Sequence, residues 1–229
     1  MRKPYKIAHY ESLPTGFRVL LDGKPANTPM GKPLLLQSEA LAKAVAQEWQ
    51  SQGETIRKET MPLTQAVCVA IDFAFERREA LIADIIPYAD TDLVCYRAGH
   101  IPELGLWQAE QLDPILAWVK ERFGVTLHVT EDVMPVKQPA ANGASLAAVL
   151  SGYDDWRLAV FAGAVKSLGS FMLALALVEG RIDAGTTFTL SHMEEIYETQ
   201  KWGRDEEKEI KMASAKEEIA AVEKFLNLL

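Results

Sequence analysis

The chain has 229 residues, 48% of them hydrophobic, with 24 Lys and Arg against 32 Asp and Glu for a formal charge of -8. That length and apolar content fill one large domain or two small ones without disulfide staples. The acidic balance excludes a nucleic-acid partner, because phosphate backbones are gripped by clustered Lys and Arg.

The basic start, Met1-Arg2-Lys3-Pro4-Tyr5-Lys6, is followed by no apolar stretch, so no secretory signal is expected. Residues 6–10 and 17–21 read as short strands, the second running into Asp22-Gly23, a dipeptide that accepts the positive φ of a tight hairpin. A further strand is expected over 33–37, after the turn cluster Thr28-Pro29-Met30-Gly31. At Ser38, the N-cap, the period lengthens: Leu41, Ala44, Val45, Glu48 and Trp49 recur three or four apart, and Gly53 follows the end. This helix covers one face of the meander, with Trp49 as its anchor, which makes an α+β layer. The boundary falls near 56–62, giving a small α+β domain over 1–58 and a larger, mainly α-helical domain over 59–229.

In the second domain Thr64 is expected to cap a helix through 75, a second helix covers 79–86, and Pro87 restarts the chain before Asp90-Thr91-Asp92-Leu93. Pro102 and Pro114 bracket a segment whose Leu112, Ile115, Leu116, Val119 and Phe123 form a helical stripe closed by Gly124. Residues 125–129 alternate like an isolated strand, 133–143 read as a loop around Pro135, Pro139 and Gly143, and Ser145 reopens helix. The most apolar stretch, 158–178, is broken by Lys166, Ser167 and Ser170. A membrane span needs about 20 apolar residues, so a buried core helix is expected, with Gly163 and Gly169 permitting close packing. Ser191-His192-Met193-Glu194 has the form of a capping box. That helix breaks at Gly203, and Asp205, Glu206 and Glu207 open a last one that turns Ile210, Ala213, Ala220 and Phe225 inward and pairs Glu207 with Lys211 on its surface.

Chemistry is hard to find. Cys68 and Cys95 lie in apolar stretches without CxxC spacing, which fits buried, reduced thiols in a reducing compartment. No GxSxG occurs, and residues 163–169 place Lys-Ser before the second glycine, so they form no phosphate loop. The best metal-like set is His192 and Glu195, one helical turn apart, with Asp90 and Asp92; it defines an alternative reading, a metal-dependent hydrolase. It has weak support, since the four histidines make no HExxH. Trp202 stands beside the charged run 194–223, where an amphipathic aromatic serves recognition or core packing equally well. Composition and spacing thus stop at a soluble two-domain protein without a catalytic constellation.

Three separated stretches nevertheless resemble the F-type ATP synthase α-subunit assembly chaperone family of mitochondria and α-proteobacteria. The first runs from Leu21-Asp22-Gly23-Lys24-Pro25 through Thr28-Pro29, Pro33-Leu34, Leu41-Ala42 and Glu48-Trp49 to Met61-Pro62-Leu63-Thr64. The second is Thr91-Asp92-Leu93-Val94-Cys95-Tyr96-Arg97. The third joins Leu177-Val178-Glu179-Gly180-Arg181 to Ser191, Glu194-Glu195, Tyr197, Trp202-Gly203 and Glu206. Mitochondrial relatives tend to carry a His-Asp pair after that last segment, where this chain has Lys208-Glu209-Ile210-Lys211. The resemblance implies a small α+β domain followed by a helical one. It also implies a chaperone, not an enzyme, that binds the unassembled α subunit, with no cofactor, metal, small-molecule substrate, nucleic acid or membrane insertion. Glu194, Glu195, Tyr197, Trp202, Arg204 and Glu206 are the expected partner-binding residues, whereas Trp49 and Arg181 are expected to be structural. The location implied is the bacterial cytoplasm, or the matrix for a mitochondrial member.

Overall fold

The computed structural model describes residues 2–132 and 134–229. The reading of the start at Met1 and the first position of the expected loop 133–143 lie outside the described residues. Two compact units form: the chain up to Arg78 with Asp154–Val160 and Lys224–Leu229, and Glu79–Tyr153 with Phe161–Glu223.

The first unit is the α+β layer. Strands β1 (Ala8–Leu13), β2 (Gly16–Leu21), β3 (Lys24–Pro25) and β4 (Leu35–Leu36) make an antiparallel sheet in which β2 is central. It pairs with β1 along one edge and with β3 and β4 along the other. The β2–β3 turn is Asp22-Gly23, with φ 47° and 76°, and the Asp22 carboxylate accepts the backbone N–H groups of Lys6 and Ile7 at 3.0 and 2.9 Å. Helix α1 (Glu39–Gln50) starts as the sequence predicts, with Ser38 Oγ accepting from Leu41 N at 3.3 Å. Its buried face, Leu41, Ala42, Ala44 and Val45, covers β1 and β2. Burial of each such Leu or Val is worth about 1.5–3 kcal/mol.

Helix α2 (Pro62–Val69) departs from expectation at its start. Pro62 occupies the first turn, where its missing N–H costs nothing. The free N–H groups of Leu63 and Thr64 are taken by the Glu48 carboxylate at 2.9 and 2.8 Å, so Thr64 is capped by α1 and caps nothing itself. The helix then widens into a π-turn at Ala70–Ala74, marked by Phe75 N bonding Ala70 O at 3.2 Å. That turn carries Asp72 inward, where it accepts Thr28 Oγ1 at 2.6 Å from the Thr28–Gly31 turn. From later in the chain, Trp156 meets Phe75 edge to face at 5.2 Å, and Phe225 is fully buried.

The second unit is helical. Helix α3 (Arg78–Ile85) leads through 3₁₀ turns at Ile86–Thr91 and Leu93–Cys95 into α4 (Pro102–Phe123). Pro114 does not bracket a shorter helix but lies inside α4. Pro114 and Glu110, the residue four back whose carbonyl loses its usual N–H partner, are both exposed. Gly124 ends α4 with φ 68°, its N–H bonding Lys120 O at 3.0 Å.

The expected strand at 125–129 does not form; only the Tyr96–Thr130 bridge pairs there. Side-chain amides take the place of a neighbouring strand. Gln138 accepts His128 N at 2.9 Å and donates to His128 O at 3.0 Å, while Asn142 Nδ2 donates to Thr126 O at 2.9 Å. Helix α5 (Ala141–Ser151) starts earlier than the expected Ser145 and absorbs Gly143.

The apolar run 158–178 forms two helices, α6 (Asp155–Leu168) and α7 (Phe171–Val178), joined at Gly169 (φ 62°) and Ser170. Every residue of α7 is buried. The reading of Gly163 as a packing glycine is corrected: it is exposed, and a Cβ there would meet nothing within 4 Å. At the other end of α7, Gly180 (φ 66°) turns the chain so that Arg181 N reaches back to Ala176 O at 2.8 Å. Glu179 there accepts the hydroxyl of Tyr153 at 2.8 Å and pairs with Arg122 at 3.0 Å.

Helices α8 (Ala184–Ser191), α9 (Met193–Trp202) and α10 (Glu206–Asn227) follow. On α10 the inward reading fails for Ile210, Ala213 and Ala220, which are exposed; Ile219 and Phe225 are the buried positions. The Glu207–Lys211 pair does form, at 2.7 Å. Cys95 is buried and Cys68 half-buried, and burial pushes their thiols up to about 12 and about 11. Among the described residues no helix is long and apolar enough to cross a membrane.

Candidate functional site

Many residues of the recognisable stretches have full structural employment. Asp92 is entirely buried and accepts Ser170 Oγ at 2.6 Å, Met172 N at 2.8 Å and Val94 N at 3.1 Å, closing the starts of α7 and of the Leu93–Cys95 turn. Burial pushes its carboxyl up to about 6, against the pull of those hydrogen bonds. Arg97, also buried, donates to the carbonyls of Val94 and Tyr96 at 2.7 and 3.0 Å and pairs with Asp113 at 2.8 Å.

These assignments dismantle the metal-like set. Asp92 spends its oxygens on backbone and hydroxyl donors, Asp90 is exposed, and His192 stacks on Phe188 at 4.6 Å with Nδ1 against Ser191 Oγ at 2.8 Å. Among the described residues no three His, Cys, Asp or Glu are grouped to hold an ion. The hydrolase reading therefore loses its ligands.

Helix α9 carries most of the expected partner-binding residues, and it too starts differently. Ser191 is the last residue of α8, its hydroxyl bonding Phe188 O at 3.1 Å, and His192 is the N-cap, its side chain turned back to Ser191 and Phe188 and capping no N–H of α9. No capping box forms, and Glu194 is free to face elsewhere. It and Glu195 line a cleft of ≈ 350 Å³ together with Leu93, Leu112, Leu190 and Met193 and the polar Thr91, Tyr96, Gln108 and Ser191. Gln108, buried on α4, spends its carbonyl oxygen on Ala98 N at 2.7 Å and turns Nε2 toward Glu194 at 3.4 Å. Neither Glu194 nor Glu195 has an ion-pair partner among the described residues.

Tyr197, one turn on, donates its hydroxyl to Glu103 of α4 at 3.0 Å. Lys201 bonds the same carboxylate at 2.6 Å and holds it below the ordinary carboxylate range, while Glu103 raises Lys201 in return. Gly203 (φ 93°) then ends α9 with its N–H on Thr199 O at 3.0 Å. Trp202, the last helical residue, is left 72% exposed. Asp205 caps α10 by accepting Lys208 N at 3.1 Å, in the form acidic groups favour at a helix start. Arg204 and Glu206 are exposed, Arg204 near Glu209 at 3.3 Å.

The expected residues thus fall into two groups along α9 and the start of α10. Glu194 and Glu195 border the cleft, and Trp202, Arg204 and Glu206 stand at the far end of α9, about 12 Å away at the helical rise per residue. Tyr197 joins the two by fastening α9 to α4. Sequence reasoning missed one exposed apolar side chain, Leu106 on α4 (73% exposed), and misread another, Ile210 on α10 (66%), as buried. Ile210 carried a signal: its neighbours at three and four residues are Glu206, Glu207, Ala213 and Ser214, so no large apolar stripe includes it.

A family model described as ATP12 chaperone protein matches residues 2–120. The mitochondrial protein atp12 of Schizosaccharomyces pombe is 27% identical over 197 residues, covering 81% of this chain and 68% of its own length. The crystal structure of Atp12 from Paracoccus denitrificans superposes with a TM-score of 0.86 at 36% identity, covering 99% of this chain and 97% of that one. The Atu1473 protein of Agrobacterium tumefaciens gives a TM-score of 0.89 at 34% identity, over 99% of this chain and 85% of that one.

Proposed function

The chain belongs to the ATP12 chaperone protein family, and from that premise we propose that it serves assembly of the F-type ATP synthase by holding the unassembled α subunit. The segment of α9 and the start of α10, with Glu194, Glu195, Tyr197, Trp202, Arg204 and Glu206, is the surface assigned to that client. The observation carrying the reading is Trp202: a large aromatic, 72% exposed, held at a helix end by Gly203 and followed in the chain by Asp205, Glu206 and Glu207. A core tryptophan would be covered, whereas tryptophan is over-represented among the residues that dominate binding interfaces.

An unassembled α subunit exposes apolar faces that β subunits later cover, and such faces drive aggregation. Trp202 supplies apolar contact, and the glutamates orient the encounter with basic groups of the client. Release needs no nucleotide hydrolysis in this reading, because β subunits competing for an overlapping face displace the chaperone by mass action. The place of action is the compartment where the enzyme's head is built, the bacterial cytoplasm or the mitochondrial matrix.

Co-expression tests the reading. With this chain present the α subunit stays soluble and co-purifies with it, and added β subunit releases it. An α subunit equally soluble with and without the chain would refute the proposal. So would equal protection of an unrelated aggregating protein, which is the behaviour of a general holdase.

A further inference from the structure

The cleft between α4, α8 and α9 has a composition that the exposed residues at the end of α9 do not explain. Its buried lining is mostly apolar, from Leu112, Leu190 and Met193 with half-buried Leu93; Thr91, Tyr96 and Ser191 add polar groups, and the exposed Glu194 and its neighbour Glu195 complete it. Around α9 several carboxylates find internal cations: Glu103 has Lys201, Glu198 has Lys208, Glu207 has Lys211 and Glu209 has Arg204, while others on open surface, such as Glu110, Glu121 and Glu217, have no ion pair among the described residues. Glu194 and Glu195 make no close ion pair among the described residues; Lys208 feels the charge of Glu195 but spends its ammonium on Glu198 at 2.6 Å. The volume, ≈ 350 Å³, is more than ten times the ~30 Å³ that one water claims in the liquid, so a whole side chain has room to enter.

A mostly apolar lining with an acidic mouth matches one kind of visitor, a side chain with a hydrocarbon stem and a cationic head. Of the two such residues, arginine fits better. Its planar fork can bridge two carboxylates, and its weak hydration lowers the cost of entering a half-dry cleft. Gln108 helps to aim the mouth, since its buried carbonyl oxygen is fixed on Ala98 N and its Nε2 approaches Glu194.

Resting on the client reading above, the geometry points to this cleft as a socket for one arginine side chain of the client. Its stem lies on Leu93, Leu112, Leu190 and Met193, and its guanidinium lies between Glu194 and Glu195. Trp202 then supplies a second, separate contact at the other end of α9.

Titration of the full ¹⁵N-labelled chain with N-acetyl-arginine amide, and with the neutral isostere N-acetyl-citrulline amide, examines the socket directly. Arginine is expected to give saturable shifts at the Gln108 side-chain amide and at the backbone of Met193 and Glu194, and citrulline none. In the double variant Glu194→Gln/Glu195→Gln those shifts vanish while the melting curve is kept, and α-subunit capture weakens about tenfold, the worth of a hydrogen bond to charge. Equal shifts from the two amides, or no shifts at the cleft, overturn the socket. Capture unaffected by the double variant, with arginine still bound, overturns its assignment to the client while the chaperone reading stands. Should the unmodified chain capture no α subunit, the chaperone reading fails first, and the arginine titration still decides the socket.

Discussion

The carboxylate of Glu48 takes both polar hydrogens that Thr64 offers, the backbone N–H at 2.8 Å and the hydroxyl at 2.7 Å, and it takes the N–H of Leu63 at 2.9 Å as well. One side chain on α1 thus closes the start of α2 fifteen residues later. Removing it leaves three donors in a half-buried place. Glu48→Ala is expected to cost about 2 kcal/mol in urea unfolding, at the upper end for a lost helix cap, whereas Glu48→Gln keeps an acceptor and costs less. Equal losses for the two variants would mean that the charge, not the capping geometry, matters.

Asp92 makes the fold sensitive to pH in a direction opposite to that of a salt-bridged carboxylate. Burial holds its folded value at about 6, above the ordinary 3.8, so between the two the folded chain keeps a proton that the unfolded chain has shed. Its contribution to stability is therefore fullest below about 4 and is lost as pH rises through about 6. Asp92→Asn should flatten this slope. Unfolding free energies of the parent and the variant from urea titrations, measured from about pH 4 to about pH 7, are expected to diverge by on the order of 2–3 kcal/mol.

Trp49 and Trp202 separate scaffold from surface. Trp49 packs edge to face on Tyr5 at 5.8 Å but is only half-buried, so Trp49→Ala should cost about 2 kcal/mol, less than the 3–5 of a fully buried aromatic. Trp202→Ala should stay within about 0.5 kcal/mol of the parent in unfolding and still weaken α-subunit capture. Thermal melts and capture assays on both variants decide; a Trp202→Ala that unfolds as readily as Trp49→Ala removes Trp202 from the proposed surface.

Glu206→Lys reverses a charge on an exposed first helical turn. The dipole penalty is about 0.5 kcal/mol, so the variant should fold normally. Capture should weaken and lose part of its dependence on salt, because screening acts on exposed charge pairs. A binding isotherm at two ionic strengths measures both effects.

The signals legible in the sequence were those that a few neighbouring residues settle among themselves. Ser38 caps α1, Asp22-Gly23 makes its turn, and Gly124 and Gly203 end their helices, each through its own backbone. Where the deciding partner is remote, local reading failed. Thr64 looked like a cap because Glu48 was sixteen residues away, and Ser191-x-x-Glu194 looked like a capping box because α8 runs through Ser191. The alternation at 125–129 suggested a strand, but Gln138 and Asn142 satisfy those backbone groups instead. In the candidate site, the exposed residues around Trp202 could be named, since they sit in recognisable stretches. The cleft could not, because Leu93, Leu112 and Leu190 come from three distant segments.

The first unit is not finished by its own sheet and α1. Residues 224–229 belong to it, Phe225 is fully buried, and Ser38, the cap of α1, also donates its hydroxyl to Leu228 O. A ribosome releases those residues long after the strands have emerged. The contacts that Phe225 and Leu228 make with that layer therefore form only after α3 to α10 have been translated, so its last side chains are covered at the end of synthesis. Any pause late in the message would prolong the exposure of that unfinished layer.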